Sequence, residues 1–342
     1  MRREQWELFK QAAKGQAVDS VPVALIVDSP WIPGYLGITH LDYFFDPEVW
    51  FQANARILAE FPDVIFLPSW WVEFGMAIEP SGLGCRVKFH ADQPPSILPC
   101  LSRLADLDGL APFEPHSDGL AAQALHLYRR HKARILDAGY TTPMVAARGP
   151  LCQASFLRGV TEFMTDLVDQ PEAAHKLLDF TTANTIRWLT AQAEAIGDSF
   201  EGILVLDDIP GFLSRRSYLE FAEPYLKRIA ASFPPECVKV YHNDANTRPF
   251  LADLPDSGFD VLNWSHNIPA DEARAKTGGR MRLMGNVAPL ELGVRGTPEQ
   301  VRAAAVDVLA KTNGGEGVIL SFGGGVSPGT PGENIKALAA AR

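Results

Sequence analysis

Short apolar runs alternate with longer amphipathic stretches along the whole chain. Eight runs stand out, over residues 23–27, 64–67, 144–147, 203–206, 238–241, 261–262, 281–284 and 318–321. Each is too short for a helix and is bounded by turn or polar residues, as a buried strand is. Apolar positions recur at three- and four-residue spacing over 47–60, 122–136, 172–196, 216–232 and 298–311, which predicts helices that bury one face. Residues 2–14 show the same spacing and predict a helix ahead of the first strand. The first two intervals carry extra chain, including a hairpin expected around residues 85–89. The last run leads into Gly323, Gly324 and Gly325 and a Pro–Gly–Thr–Pro turn, after which Glu333 and Asn334 open a final helix.

Alternating strands and helices imply parallel strands joined by right-handed crossovers. Eight such units predict an α/β fold of the (β/α)8 TIM barrel type with an N-terminal helical extension, rather than an open sheet. No repeat, low-complexity tract or linker interrupts residues 1–342, which read as a single domain. A hydrophobic content of 46% with 21% charged residues suits a globular chain with a large core. The formal net charge of −10 argues against nucleic acid or an anionic membrane surface as a partner. No apolar run approaches the roughly 20 residues of a membrane span, and the charged start lacks the apolar core of a signal peptide. Cys85, Cys100, Cys152 and Cys237 are scattered without metal-ligand spacing, so free thiols and a cytoplasmic location are expected.

A barrel of this type works at the carboxyl ends of its strands. There the chain places Asp28, then Ser69 with Trp70 and Trp71, Arg148, Asp207 with Asp208, and His242. Asn263 with Trp264, Gly285 with Asn286, and the three tail glycines follow. His242 and Asp244, two apart at a strand end, can both face the axis and ligate a metal or exchange a proton. The alternative is a histidine bonded to a nearby carboxylate, with Asp244 capping the following helix. Asp207 and Glu73 are the other expected catalytic carboxylates, one of the pair Asp207 and Asp208 facing inward. Trp31, Tyr35, Trp70, Trp71 and Trp264 fall in expected mouth loops and suggest a flat, apolar or aromatic ligand. With Asp28, Arg148, Asn286 and Gly324 they make up the expected substrate-binding set, in which Arg148 favours a carboxylate-bearing substrate.

Taken together, Asp207–Asp208 with Leu213 and Ser214, the segment 218–228 (YLEFAEPYLKR), His242, Gly285–Asn286 and the tail 328–335 (PGTPGENI) resemble the uroporphyrinogen decarboxylase superfamily. That superfamily holds the decarboxylase and methyltransferases that move methyl groups to or from a corrinoid. The resemblance covers nearly the whole chain, implies the same barrel, and lies closer to the methyltransferase branch. True decarboxylases use an arginine-rich segment near the first strand, an aspartate after the second and a histidine in the tail. This chain has no arginine in 27–34, Ser69–Trp70 after the second strand, and Gly324 in the tail. Methyltransferases acting on coenzyme M bind zinc through His-x-Cys and a tail cysteine; here His242 remains, but Asp244 and Gly324 stand where the cysteines would be. What the resemblance then implies is transfer of a methyl group from a small substrate, such as a methoxylated aromatic compound, to a corrinoid or folate carrier. A corrinoid-binding protein is the implied partner, and zinc or another divalent metal would bind without thiolates. The alternative is a decarboxylase-like lyase or a hydrolase acting on a small organic acid other than uroporphyrinogen.

Overall fold

The computed structural model describes residues 1–27 and 29–342; Asp28, expected at the first strand end, lies outside the described residues. The strands are β1 (Ala24–Ile26), β2 (Ile65–Leu67), β3 (Arg86–Lys88), β4 (Ser96–Leu98), β5 (Met144–Arg148), β6 (Gly202–Leu206), β7 (Val238–Asn243), β8 (Val261–Trp264), β9 (Arg282–Val287) and β10 (Val318–Phe322). Strands β5 to β10 form a six-stranded parallel sheet in sequence order, β1 pairs with β2, and β3 with β4 makes the expected antiparallel hairpin. A parallel bridge between Val23 and Leu320 joins the β1–β2 pair to β10. No ladder joins β2 to β5 among the described residues. At that seam Met1 binds Ser69 beyond β2, and its carbonyl accepts a 2.8 Å bond from Thr141 N–H ahead of β5.

Side chains alternate across a strand with period two, so each strand supplies two faces. One face contributes to a cluster that draws on all eight parallel strands, including Ala24, Ile65, Met144, Leu204, Val240, Val261, Met284 and Ile319. Helix α1 (Arg3–Ala13) packs Trp6 and Phe9 against this cluster. The opposite faces meet the surrounding helices in a second, larger core.

The helices expected at 47–60 and 298–311 form as Pro47–Glu60 and Pro298–Lys311. Each has proline in its first turn, where the missing N–H costs nothing, behind an Asp46 or Thr297 cap. The helix expected over 216–232 is instead two, Arg215–Phe221 and Glu223–Ala231. Pro224 cannot donate the bond that a continuous helix needs. Two further helices, Pro150–Arg158 and Val160–Asp169, follow β5 and break at Gly159, whose φ is +92°.

Candidate functional site

The period-two alternation that orders the interior also selects the side chains above it. Register pairs Arg148 with Leu206, Leu206 with His242, and His242 with Asn263, so all four lie at one level and on one face of the sheet. Leu206 belongs to the inner cluster, which places Arg148, His242 and Asn263 on the inward face at the carboxyl ends.

His242 is buried, and its Nδ1 lies 2.6 Å from Asn263 Oδ1. The Asn263 amide nitrogen donates to the carbonyls of Met284 (2.7 Å) and Phe322 (3.1 Å), so its oxygen must be the atom facing the ring. The neutral imidazole therefore carries its proton on Nδ1 and presents a lone pair on Nε2. Nε2 sits 3.5 Å from Asp208 Oδ1, which also accepts a 3.1 Å bond from Asp244 N–H. Asp208, His242 and Asp244 each offer one ligand atom, all within 4.8 Å of one another. Burial pushes the Asp244 carboxyl above its ordinary range, against the pull of His242. A Cβ on Gly324, whose φ is +144°, would lie 2.6 Å from Asp244 Oδ2. The bare glycine thus leaves the carboxylate its place.

Beside this cluster, Arg148 is 7% exposed and its Nη2 has no hydrogen-bond partner. Its guanidinium carbon is 5.5 Å from the Trp71 ring centroid, and Nη2 is 3.8 Å from Glu73 Oε2. Glu73 is held by the N–H groups of Ser29 (3.0 Å) and Met76 (3.2 Å). Glu79, fully buried, accepts the Arg148 backbone N–H at 2.8 Å, and burial raises its carboxyl above the ordinary range.

Several expected site residues are placed elsewhere. The carboxylate beside His242 is Asp208; Asp207 instead accepts from Leu151 N–H (3.1 Å) and Cys152 N–H (2.8 Å) at the start of the Pro150–Arg158 helix. Burial pushes the Asp207 carboxyl up to about 8 against those two donors. The expected aromatic mouth is not assembled. Trp31 is buried, donates to Thr330 O and stacks on Tyr35, whose hydroxyl binds Glu60. Trp70 packs among Trp50, Phe51 and Tyr140, and Trp264 is buried with Nε1 bonded to Ile268 O. Asn286 also serves the loop after β8, donating to Ile268 O at 2.7 Å. Of the aromatic set, Trp71 alone belongs to the inner cluster. The sequence places Asp208 and Asn263 at strand ends, but the expected site takes their neighbours Asp207 and Trp264 instead. Counting in twos from Leu206 and Val261 reaches Asp208 and Asn263, whereas Asp207 and Trp264 face outward.

A parallel α/β architecture with a histidine–carboxylate group at the carboxyl ends of its strands has the anatomy of an enzyme. The chain belongs to the uroporphyrinogen decarboxylase (URO-D) family, which it matches over residues 4–342. It is 26% identical over 346 aligned positions to the methylcobamide:CoM methyltransferase MtaA of Methanosarcina barkeri, covering 97% of this chain and 95% of that protein. It is 32% identical to the uroporphyrinogen decarboxylase of Thermus thermophilus over 211 positions, 59% of this chain and 60% of that one. A solved methyltransferase from Methanosarcina mazei superposes with a TM-score of 0.84 at 26% identity, covering 98% of this chain and 97% of that one. These relatives are enzymes, and both activities occur among those matched along nearly their whole length: a uroporphyrinogen decarboxylase of Chlorobaculum tepidum is 24% identical over 97% of this chain and 95% of that one. No helix among the described residues is long and apolar enough to cross a membrane.

Proposed function

We propose that this protein is a cytoplasmic methyltransferase. It takes a methyl group from a small substrate, with methoxylated aromatic compounds the first class to test, and passes it to a corrinoid or folate carrier. In this reading residues 1–342 are one domain, and the eight parallel strands close into a barrel whose carboxyl-end pocket holds the reaction. A corrinoid-binding protein supplies the carrier. The observation that carries the proposal is the group of Asp208, His242 and Asp244, set on the fold of full-length methyltransferase relatives.

The donor set fits a divalent ion. Its histidine has Nδ1–H anchored on Asn263 and Nε2 free, the arrangement in which imidazole ligates metals. Two carboxylates complete a nitrogen–oxygen set, harder than a thiolate site and suited to zinc, manganese or iron(II). Such an ion, when bound, supplies a Lewis acid that polarises the substrate's heteroatom. The chain's own groups then have distinct tasks. A methyl ether leaves as a poor oxyanion unless its oxygen is coordinated or protonated, and with His242 Nε2 committed to an ion that nitrogen would carry no proton, so its task is to hold the ion against the substrate's oxygen. Asp208 Oδ1, 3.5 Å from that nitrogen, would share the ion with it. Asn263 fixes the ring so that Nε2 keeps facing the pocket.

Uroporphyrinogen and coenzyme M are not the proposed substrates. No arginine occurs in 27–34, and Asp244 with Gly324 replaces the thiol pair. The test is formation of methylcobalamin from free cob(I)alamin and a panel of methoxylated aromatic acids, with metal content measured on the same protein. His242→Ala should lower both metal content and turnover. Metal-free wild-type protein that forms no methylcobalamin from any substrate would shift the assignment to a lyase or hydrolase acting on a small organic acid.

A further inference from the structure

We propose that Arg148 is an anchor for the substrate's carboxylate, so that the pocket is built for small organic acids whose far end reaches His242. The inference rests on the reading of the strand ends as the reaction site, and it adds the chemical class of what enters. A guanidinium carries five N–H donors in a planar fork, and buried donors in folded proteins are almost always paired. Arg148 is 7% exposed, yet its buried Nη2 has no hydrogen-bond partner among the described residues. Among the described residues the guanidinium faces the Trp71 ring, its carbon 5.5 Å from the centroid, and Glu73, with Nη2 3.8 Å from Oε2.

The carboxylate that would ordinarily take up the fork is tied down elsewhere. Glu73 spends Oε1 on Ser29 N–H and Oε2 on Met76 N–H, which hold it beyond hydrogen-bond distance of the guanidinium. It therefore offsets the buried positive charge without consuming the donors. Ser29 adds a second orphan on the same carboxylate, since its hydroxyl is fully buried and unpartnered. A planar, bidentate acceptor satisfies such a fork, and a carboxylate is the commonest small one. Placement agrees. Arg148 and His242 are in register across two strand intervals, so their Cα atoms are separated by roughly 10 Å, twice the spacing of neighbouring strands. With the arginine side chain reaching inward, one small molecule spans the remaining distance.

The experiment compares binding of matched acids and primary amides, methoxybenzoates against methoxybenzamides and methoxyacetate against methoxyacetamide, by calorimetry and tryptophan fluorescence. Wild-type protein should bind at least one acid about tenfold or more tighter than its amide, the scale of a charge-assisted bidentate pair. Arg148→Gln should erase that preference, and Arg148→Lys should retain part of it, because an ammonium keeps the charge and loses the fork. If Arg148→Gln does not fold, the wild-type acid-to-amide ratio still decides the matter. Amides bound as tightly as acids, or no acid bound at millimolar concentration, would overturn the anchor. The readout needs no turnover. Acids bound without methylcobalamin formation keep the anchor and remove the methyltransferase reading. Turnover of neutral ethers with equal acid and amide binding does the reverse.

Discussion

Replacing Gly324 by alanine is the sharpest probe of the metal reading. The new Cβ would lie 2.6 Å from Asp244 Oδ2, and ordinary contact begins near 3.4 Å, so the carboxylate must retreat by about 0.8 Å. A displacement of that size is enough to spoil ligand geometry, which for supporting residues typically costs 10- to 100-fold in metal affinity. The backbone adds its own term. Gly324 has φ +144°, a region nearly closed to residues with a side chain, and holding alanine there costs about 1–3 kcal/mol. The neighbouring Gly325 is the control, because a Cβ there would come no closer than 3.7 Å to the Ile26 carbonyl oxygen. We expect Gly324→Ala to lose 10- to 100-fold in affinity for zinc or manganese and to unfold at lower denaturant, with Gly325→Ala near wild type in both. Competition titration with a chromophoric chelator measures the affinity. A Gly324→Ala protein that binds metal within twofold of wild type would refute the placement of Asp244 as a ligand.

Four further outcomes follow from the structure. Asp208→Asn should weaken metal binding with little change in stability. Asp207→Ala should destabilise by about 1–3 kcal/mol, because the buried N–H groups of Leu151 and Cys152 lose their acceptor, and leave metal binding unchanged; calorimetry and metal titration on both variants would expose a reversed pattern. Glu79, with its carboxyl raised by burial, binds a proton in the folded state over a pH range where the unfolded chain has released it. Its contribution to stability therefore falls as pH rises above the ordinary carboxylate range. Glu79→Gln should gain in melting temperature relative to wild type between pH 5 and pH 8, and an equal difference at both would contradict this. Cys85 and Cys100 have their sulfurs 3.5 Å apart, Cys85 S–H donating to and lowering the Cys100 thiol. A hydroperoxide should therefore give an 85–100 disulfide in non-reducing peptide maps before it modifies Cys152 or Cys237.

Much of this architecture was legible without coordinates. Periodicity located all eight parallel strands and most of the long helices, because strand and helix bury their faces at different spacings and the chain keeps those spacings cleanly. Strand-end chemistry also singled out His242, Asp244 and Arg148, since polar residues past a buried run must emerge at the rim. The choice within each adjacent pair was another matter. Asp207 or Asp208 and Asn263 or Trp264 differ by one position, and one position turns a side chain to the other face of the sheet. Strand register against the neighbours decided those pairs for Asp208 and Asn263. The aromatic residues show the same limit, for a tryptophan fits a pocket wall and a core equally well by composition. Only the packed helices reveal that Trp31, Trp70 and Trp264 are core. Composition, pattern and motif thus carried the fold class and the neighbourhood of the site. The proposed working set, with the free Nε2 of His242, the carboxylate in the space beside Gly324 and the unpartnered Nη2 of Arg148, depends on distances between residues far apart in the chain, which tertiary packing alone sets.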